Sequence, residues 1–295
     1  MWGDRICYAA CVPRKPSIAI IGAGNLAQAL APALLRAGYP IAEIVSREGA
    51  ESRRRAQALA KRVRSRAVTI TNMRMTADVI WFCVTDDAIA GSARAMAAHA
   101  DWHGKIALHS SGALSSAELD SLQAQGAAIA SIHPMMTFVR NSAPNMKGVA
   151  FALEGVDKAV RLGRRIALDL GGMPFRIGRE SKVLYHAMGS FSSPLLVAVL
   201  ALAERVAAEA GIPRAKIPAA MRPILRKTFE NYLTNGAPAA FSGPINRGDL
   251  ETVKKHLADL RKVPGAREAY IALARAAAEM LPVKNRAAIV RLLAE

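Results

Sequence analysis

Hydrophobic and polar positions divide the chain into two kinds of pattern. Up to about residue 178, short apolar runs alternate with longer amphipathic stretches. The runs Ser17 to Ile21, Ile41 to Val45, Ala67 to Ile70, Asp78 to Val84, Lys105 to Leu108 and Ala127 to Ile132 predict six strands. Asp78-Val-Ile-Trp-Phe-Cys-Val84 is apolar without alternation, as a central parallel strand covered on both faces requires. Val149 to Leu153 and Pro174 to Ile177, flanking a helical stretch from Val156 to Leu170, extend the same sheet. Strand and helix alternate, which predicts a parallel, doubly wound α/β sheet. From Ser181 onward the period is helical only, with helices over 181–210, about 216–234, 250–262 and 265–280. The expected organisation is an N-terminal extension (1–15), a nucleotide-binding domain (16–178) and an all-helical domain (179–295).

The first strand runs into Gly22-Ala-Gly24-Asn25-Leu26-Ala27 and then into a helical pattern that stops at Gly38-Tyr39-Pro40. Gly22 suits the tight turn, Gly24 lets a pyrophosphate approach the main chain, and Ala27 allows close helix–strand packing. The start of the helix, at Asn25 and Leu26, offers main-chain N–H groups to phosphate. The second strand ends in Val45-Ser46-Arg47, where an NAD-preferring site carries an acid, and Glu48 comes one step too late. A hydroxyl and a guanidinium suit a 2'-phosphate, so NADP is the expected cofactor. Arg53 and Arg54 on the following helix would add to that field, while the plain alternative for Arg47 is a solvated loop residue.

Composition bounds the rest. With 295 residues, 52% hydrophobic, the chain can build two cores, and its 5% aromatic content makes them aliphatic. The net charge of +17 attracts anions. Its densest basic stretch, Arg53, Arg54, Arg55, Lys61, Arg62, Arg64 and Arg66, holds no aromatic residue, so no specific nucleic-acid partner is expected. Three cysteines without metal-ligand spacing predict a reducing, cytoplasmic setting and no metal. Cys7 and Cys11 fall in the N-terminal extension, whose apolar run Ile6 to Val12 is too short for a secretory segment. The uncharged tract Ala187 to Ala203 contains Gly189 and Pro194 and reads as a buried helix rather than a membrane span.

Five further segments follow the glycine turn in order: Val84-Thr85-Asp86-Asp87, His109-Ser110-Ser111-Gly112, His133-Pro134-Met135, Lys182-x-x-Tyr185-His186 and Gly243-Pro244-x-x-Arg247-Gly248-Asp249. The series resembles the Rossmann-like proteins with a C-terminal helical domain of unknown function (DUF2520 type). These are relatives of pyrroline-5-carboxylate reductase, β-hydroxyacid dehydrogenases and deazaflavin-dependent NADP oxidoreductases, with a helical half of the 6-phosphogluconate dehydrogenase C-terminal kind. The resemblance implies an NADP-binding domain and an all-helical domain with an active cleft between them, and a homodimer formed through the helical domain.

Lys182 and His186 share a helical face with Ser190 and Ser193. The resemblance to β-hydroxyacid dehydrogenases, where a lysine precedes an asparagine by four residues, makes Lys182 or His186 the expected proton donor. The histidine here leaves open which of the two it is. His133 and Ser111 would hold the reacting oxygen or nitrogen; Val84, Thr85, Asp86 and Ser110 would line the cofactor; Asn231 and Arg247 would hold the substrate, the arginine through a carboxylate. Asp249 is alternatively a helix N-cap. The function expected is NADP(H)-dependent hydride transfer to or from a C=O or C=N group of a small anionic substrate. The alternatives are a redox sensor that binds NADP without turnover and, further off, a dehydrogenase of the prephenate type, suggested by His133-Pro134-Met135.

Overall fold

The computed structural model describes residues 14–98, 100–139 and 144–295. The N-terminal extension up to residue 13, with Cys7 and Cys11, lies outside the described residues. The chain divides into two compact units, residues 1–189 and 190–295. The expected boundary lay near 178; the division at 189 groups the helix bearing Lys182 and His186 with the sheet.

The first unit is an eight-stranded sheet. Its strands are β1 (Ile18–Ile21), β2 (Ile41–Ser46), β3 (Arg66–Thr69), β4 (Val79–Phe82), β5 (Ile106–His109), β6 (Ala128–Pro134), β7 (Ala150–Gly155) and β8 (Met173–Arg176). They lie in the order β3-β2-β1-β4-β5-β6-β7-β8. Helices α1 (Asn25–Arg36), α2 (Ala50–Arg62), α3 (Asp86–Ala97), α4 (Asp120–Gln123) and α5 (Asp157–Asp169) connect them. Successive residues of one strand feed opposite cores. Val79 and Trp81 of β4 pack with α1, α2 and α5 residues such as Leu30, Leu59 and Ile166, whereas Ile80 and Phe82 pack with Ile89 and Met96 of α3 and Leu122 of α4. This two-sided burial explains why β4 lacks polar alternation.

One pairing departs from the parallel expectation: β7 runs antiparallel to β6, with His133 opposite Ala152. A parallel return needs a crossover, usually helical, and the described residues between β6 and β7 contain no helix. α5 then supplies the crossover that makes β8 parallel to β7.

Near the units' division lie α6 (Lys182–Ser192) and α7 (Pro194–Glu209). The sequence pattern predicted one helix here. Pro194 starts a new one, where its missing N–H is no loss, and Ser193 leaves helical geometry at φ −137°, ψ −83°. The expectation of a buried helix is also corrected: no residue of α7 is buried, and α6 buries only Lys182. The second unit continues with α8 (Ile217–Ala240), α9 (Pro244–Arg247), α10 (Leu250–Asp259), α11 (Ala266–Met280) and α12 (Arg286–Leu292). Its own core joins Val253 and Leu257 to Ala274, Ile289 and Leu292. Asp249 caps α10, accepting from the Thr252 main-chain N–H at 3.1 Å and its hydroxyl at 2.7 Å.

Candidate functional site

The carboxyl ends of β1, β2 and β4 enclose a cleft of about 420 Å³. The turn after β1 forms its floor. Gly22 stands at φ +102°, and a Cβ there would lie 2.6 Å from the Cys83 carbonyl oxygen, so no other residue fits. Gly24 differs: its φ of −71° suits any residue, and a Cβ would meet nothing nearer than 3.8 Å. The absent side chain leaves open space over the start of α1, where Gly24 makes no side-chain cap and the first-turn N–H groups, beginning with Asn25 and Leu26, point outward.

The far wall of the cleft carries Ser46, Arg47, Ser52 and Arg55. Ser46 is buried, and its Oγ has no hydrogen-bond partner. An orphaned buried hydroxyl beside two guanidiniums is what a bound phosphate would satisfy. Arg47 donates from Nε to the Ser52 hydroxyl at 3.2 Å, and Arg55 reaches the Asn25 Oδ1 at 3.4 Å. The sequence predicts Arg53 and Arg54 as additions to the field of Arg47. Neither lines the cleft, and Arg53 instead pairs with Glu48 at 3.5 Å. Helical spacing is the reason: α2 buries Ala56, Leu59 and Ala60, so Ser52 and Arg55, three apart, share the cleft-facing side. Val84 and Thr85 complete the lining.

Asp86, next in sequence, turns away from the cleft. Its carboxylate accepts the Ser111 hydroxyl proton at 2.8 Å, and the same hydroxyl oxygen accepts the Leu114 N–H at 2.9 Å. Ser111 was expected at the reacting atom, but both functions of its hydroxyl are used to shape the loop after β5. Ser110 likewise accepts the Trp81 indole N–H at 2.8 Å rather than facing the cofactor cleft. His109 is fully buried, with Nδ1 accepting the Ser111 N–H at 3.1 Å and Nε2 paired with the Ser115 carbonyl at 2.9 Å. That pairing requires the neutral Nε2–H tautomer, and burial pushes its pKa down to about 4.

Above this loop α6 brings Lys182, Tyr185 and His186 to the end of β6. Lys182 is 1% exposed; its ammonium donates to the Ser131 hydroxyl at 2.5 Å and the Ser111 carbonyl at 2.9 Å. Burial pulls its pKa down to about 8, against the opposing fields of Glu154 and Asp86. Glu154 on β7 is itself buried and accepts the Ser116 N–H at 2.6 Å and hydroxyl at 2.9 Å. His133 pairs through Nδ1 with the Tyr185 hydroxyl at 2.8 Å, and Phe175 packs edge-on against the tyrosine ring. Burial first, then the charges of Lys182 and His186, hold His133 down to about 4. The His133 and His186 rings stand 6.3 Å apart, and a Cβ on Gly112 would lie 2.9 Å from His133 Nε2 and 2.6 Å from His186 Cδ2.

The first unit thus gathers Gly22, Gly24, Asn25, Leu26, Ser46, Arg47, Val84 and Thr85 in one cleft, and His133, Lys182 and His186 in one cluster. Asn231, half-buried in α8, and Arg247, exposed at the end of α9, belong to the second unit. Sequence reasoning missed Ser52 and Arg55, whose signal was their three-residue spacing, and Tyr185, which lay unassigned inside a quoted motif. It also missed Ser131 and Glu154, which carry no sequence signal beyond being polar inside apolar strands. Among the described residues no group of His, Cys, Asp and Glu side chains is arranged to hold a metal.

Comparison with known proteins agrees with this architecture. Residues 8–134 match the family model of a Rossmann-like domain, and residues 149–277 that of the domain of unknown function DUF2520. Sequence comparison with curated proteins gives no match. Among solved structures, a Bacteroides fragilis protein assigned as an NADP oxidoreductase is 24% identical, with a TM-score of 0.71 over 89% of this chain and 98% of that one. A Thermotoga maritima protein is 23% identical, also at 0.71, over 89% and 97%. An imine reductase of Myxococcus stipitatus, solved with NADP+, is 18% identical at 0.67 over 94% and 100%. At these identities the likeness is one of fold. Along the chain a match to the Rossmann-like domain is thus followed by a match to the DUF2520 domain.

Proposed function

We propose that the protein is an NADP(H)-dependent oxidoreductase that transfers hydride to or from a C=O or C=N group of a small anionic substrate. The observation that carries this is continuity. Val84 and Thr85 line the cofactor-sized cleft, and the next residue, Asp86, bonds Ser111 in the loop beneath Lys182, His133 and His186. The fold shared with an NADP+-bound imine reductase supports the same reading. When bound, the nicotinamide supplies the hydride; the protein must hold it and manage a proton. Gly22, Gly24 and the first turn of α1 would hold the pyrophosphate, while Ser46, Arg47, Ser52 and Arg55 would hold the 2'-phosphate. Lys182 keeps the Ser111 loop in place beneath the reacting centre, and a proton comes from the ionisable cluster beside it. Arg247 and Asn231 are the candidates to bind a substrate carboxylate. The protein works as a homodimer through its helical domain, in the cytoplasm.

The test is NADPH oxidation against a panel of cyclic imines, 2-keto acids and aldehydes. Oxidation with at least one member, faster with NADPH than with NADH, is the expected result. Tight NADPH binding without oxidation across the panel would instead make the protein a sensor. A clear preference for NADH would sink the cofactor assignment.

A further inference from the structure

Resting on the reductase proposed above, we infer that Tyr185 is the proton donor and that His133 reloads it. Neither Lys182 nor His186 then supplies the proton. The Lys182 ammonium is 1% exposed and points two of its N–H groups at the Ser131 hydroxyl and the Ser111 carbonyl, so it is enclosed by the loop it holds rather than presented to a substrate. Tyr185 lies three residues further along α6, half-buried, with its hydroxyl 2.8 Å from His133 Nδ1. Its ring is fixed from two sides, edge-on to His133 at 5.5 Å between centroids and to Phe175 at 6.0 Å. The other nitrogen of His133 packs over Gly112 beside the His186 ring, an approach only glycine permits, since a Cβ there would lie 2.9 Å from Nε2 and 2.6 Å from His186 Cδ2.

This arrangement balances as a neutral relay. With its proton on Nδ1, His133 donates to the tyrosine oxygen and leaves the Tyr185 O–H free to point at an acceptor. As hydride adds to the carbon of the C=N or C=O bond, the π electron pair moves to nitrogen or oxygen. That atom takes the Tyr185 proton, the tyrosine oxygen takes the Nδ1 proton, and Nε2 takes one from water. One solvent proton is consumed per hydride, and exchange with water returns the ring to its Nδ1–H form. No member of the pair stays charged, which suits two groups that resist charging: burial holds His133 down to about 4 and pushes Tyr185 up to about 12.

Tyr185→Phe in the full-length chain is the test, because it removes one oxygen and keeps the ring packing. With a panel member that the wild type reduces, kcat should fall about 100-fold, the scale of general acid catalysis. KM and the NADPH dissociation constant, read by fluorescence titration, should stay within about 2-fold. Nitrogen-15 NMR of the histidine rings in the wild type should show His133 with its proton on Nδ1. Retention of kcat within about 3-fold, or a proton resident on Nε2 of His133, would overturn the relay while leaving the reductase standing. A wild type that binds NADPH and reduces no panel member would remove both.

Discussion

At the residue scale, the two glycines of the first turn do different jobs, and the difference can be measured. Gly22 is fixed by the fold: its positive φ and the Cys83 carbonyl at 2.6 Å from any Cβ make Gly22→Ala strained whatever binds. We expect a loss of about 1–3 kcal/mol in urea unfolding, the usual cost of forcing a side chain into such a conformation. Gly24 is fixed by the ligand. Gly24→Ala should unfold at the wild-type urea midpoint yet bind NADPH at least about 10-fold more weakly, because the methyl occupies the space left for the pyrophosphate. Equal loss of stability in both variants would contradict this division. His109 makes a different prediction. Its folded pKa of about 4 lies below the ordinary 6.5, so between those values the unfolded chain binds the proton and the folded chain does not. Stability from this residue is therefore complete above about pH 6.5 and is lost as pH falls toward 4, by on the order of 3 kcal/mol. Urea midpoints at pH 7 and pH 4.5 should separate in the wild type and draw together in His109→Gln.

At the element scale, α2 shows how a helix selects among its own arginines. Three successive arginines look equivalent in sequence, but the buried stripe at Ala56, Leu59 and Ala60 turns only Arg55 toward the cleft. Arg55→Ala should weaken NADPH about 10-fold or more, the scale of a charge-assisted phosphate contact, and leave NADH unchanged. Arg53→Ala should change neither, since its partner is Glu48. Parallel titrations of the three proteins decide the matter, and equal effects from both arginines would refute the helical-face account. The same scale shows what was legible in the sequence. The strands and helices around β1 and β4 were readable because the glycine turn, the apolar run of β4 and the intervening helical patterns are local signals. The antiparallel β7 was not, because its direction follows from a connection whose described residues form no helix. The helix break at Ser193 was also missed, although Pro194 announced it. Within the site, residues joined to the glycine motif by short spacing were readable, whereas Ser131, Glu154 and Tyr185 depend on strand register and on where α6 settles.

At the scale of the whole molecule, the helical half presents a surface that water does not tolerate well. In the second unit Phe191, Ile224, Leu233 and Met280 are each about two-thirds or more exposed, and α7 buries none of its residues. Each such side chain gains about 1.5–3 kcal/mol when fully covered. Residues Lys182–Glu209 together are long and apolar enough to cross a membrane. Two features argue for a protein cover instead. The break at Ser193 leaves α7 only 16 residues long, about 24 Å at 1.5 Å per residue and short of the roughly 30 Å hydrocarbon layer. The other end of the stretch is tied to the sheet through Lys182. A second copy offers the same apolar faces, and self-complementary contact across a two-fold axis is the commonest way such faces close. Light scattering after gel filtration should therefore give about twice the 31.4 kDa chain mass. The double variant Phe191→Asp, Leu233→Asp should run as a monomer with a lower melting temperature, because the charges cannot be buried against a partner. A wild type that runs as a 31.4 kDa monomer, or that sediments with phosphatidylglycerol vesicles through these same residues, would show that the apolar faces have a different occupant.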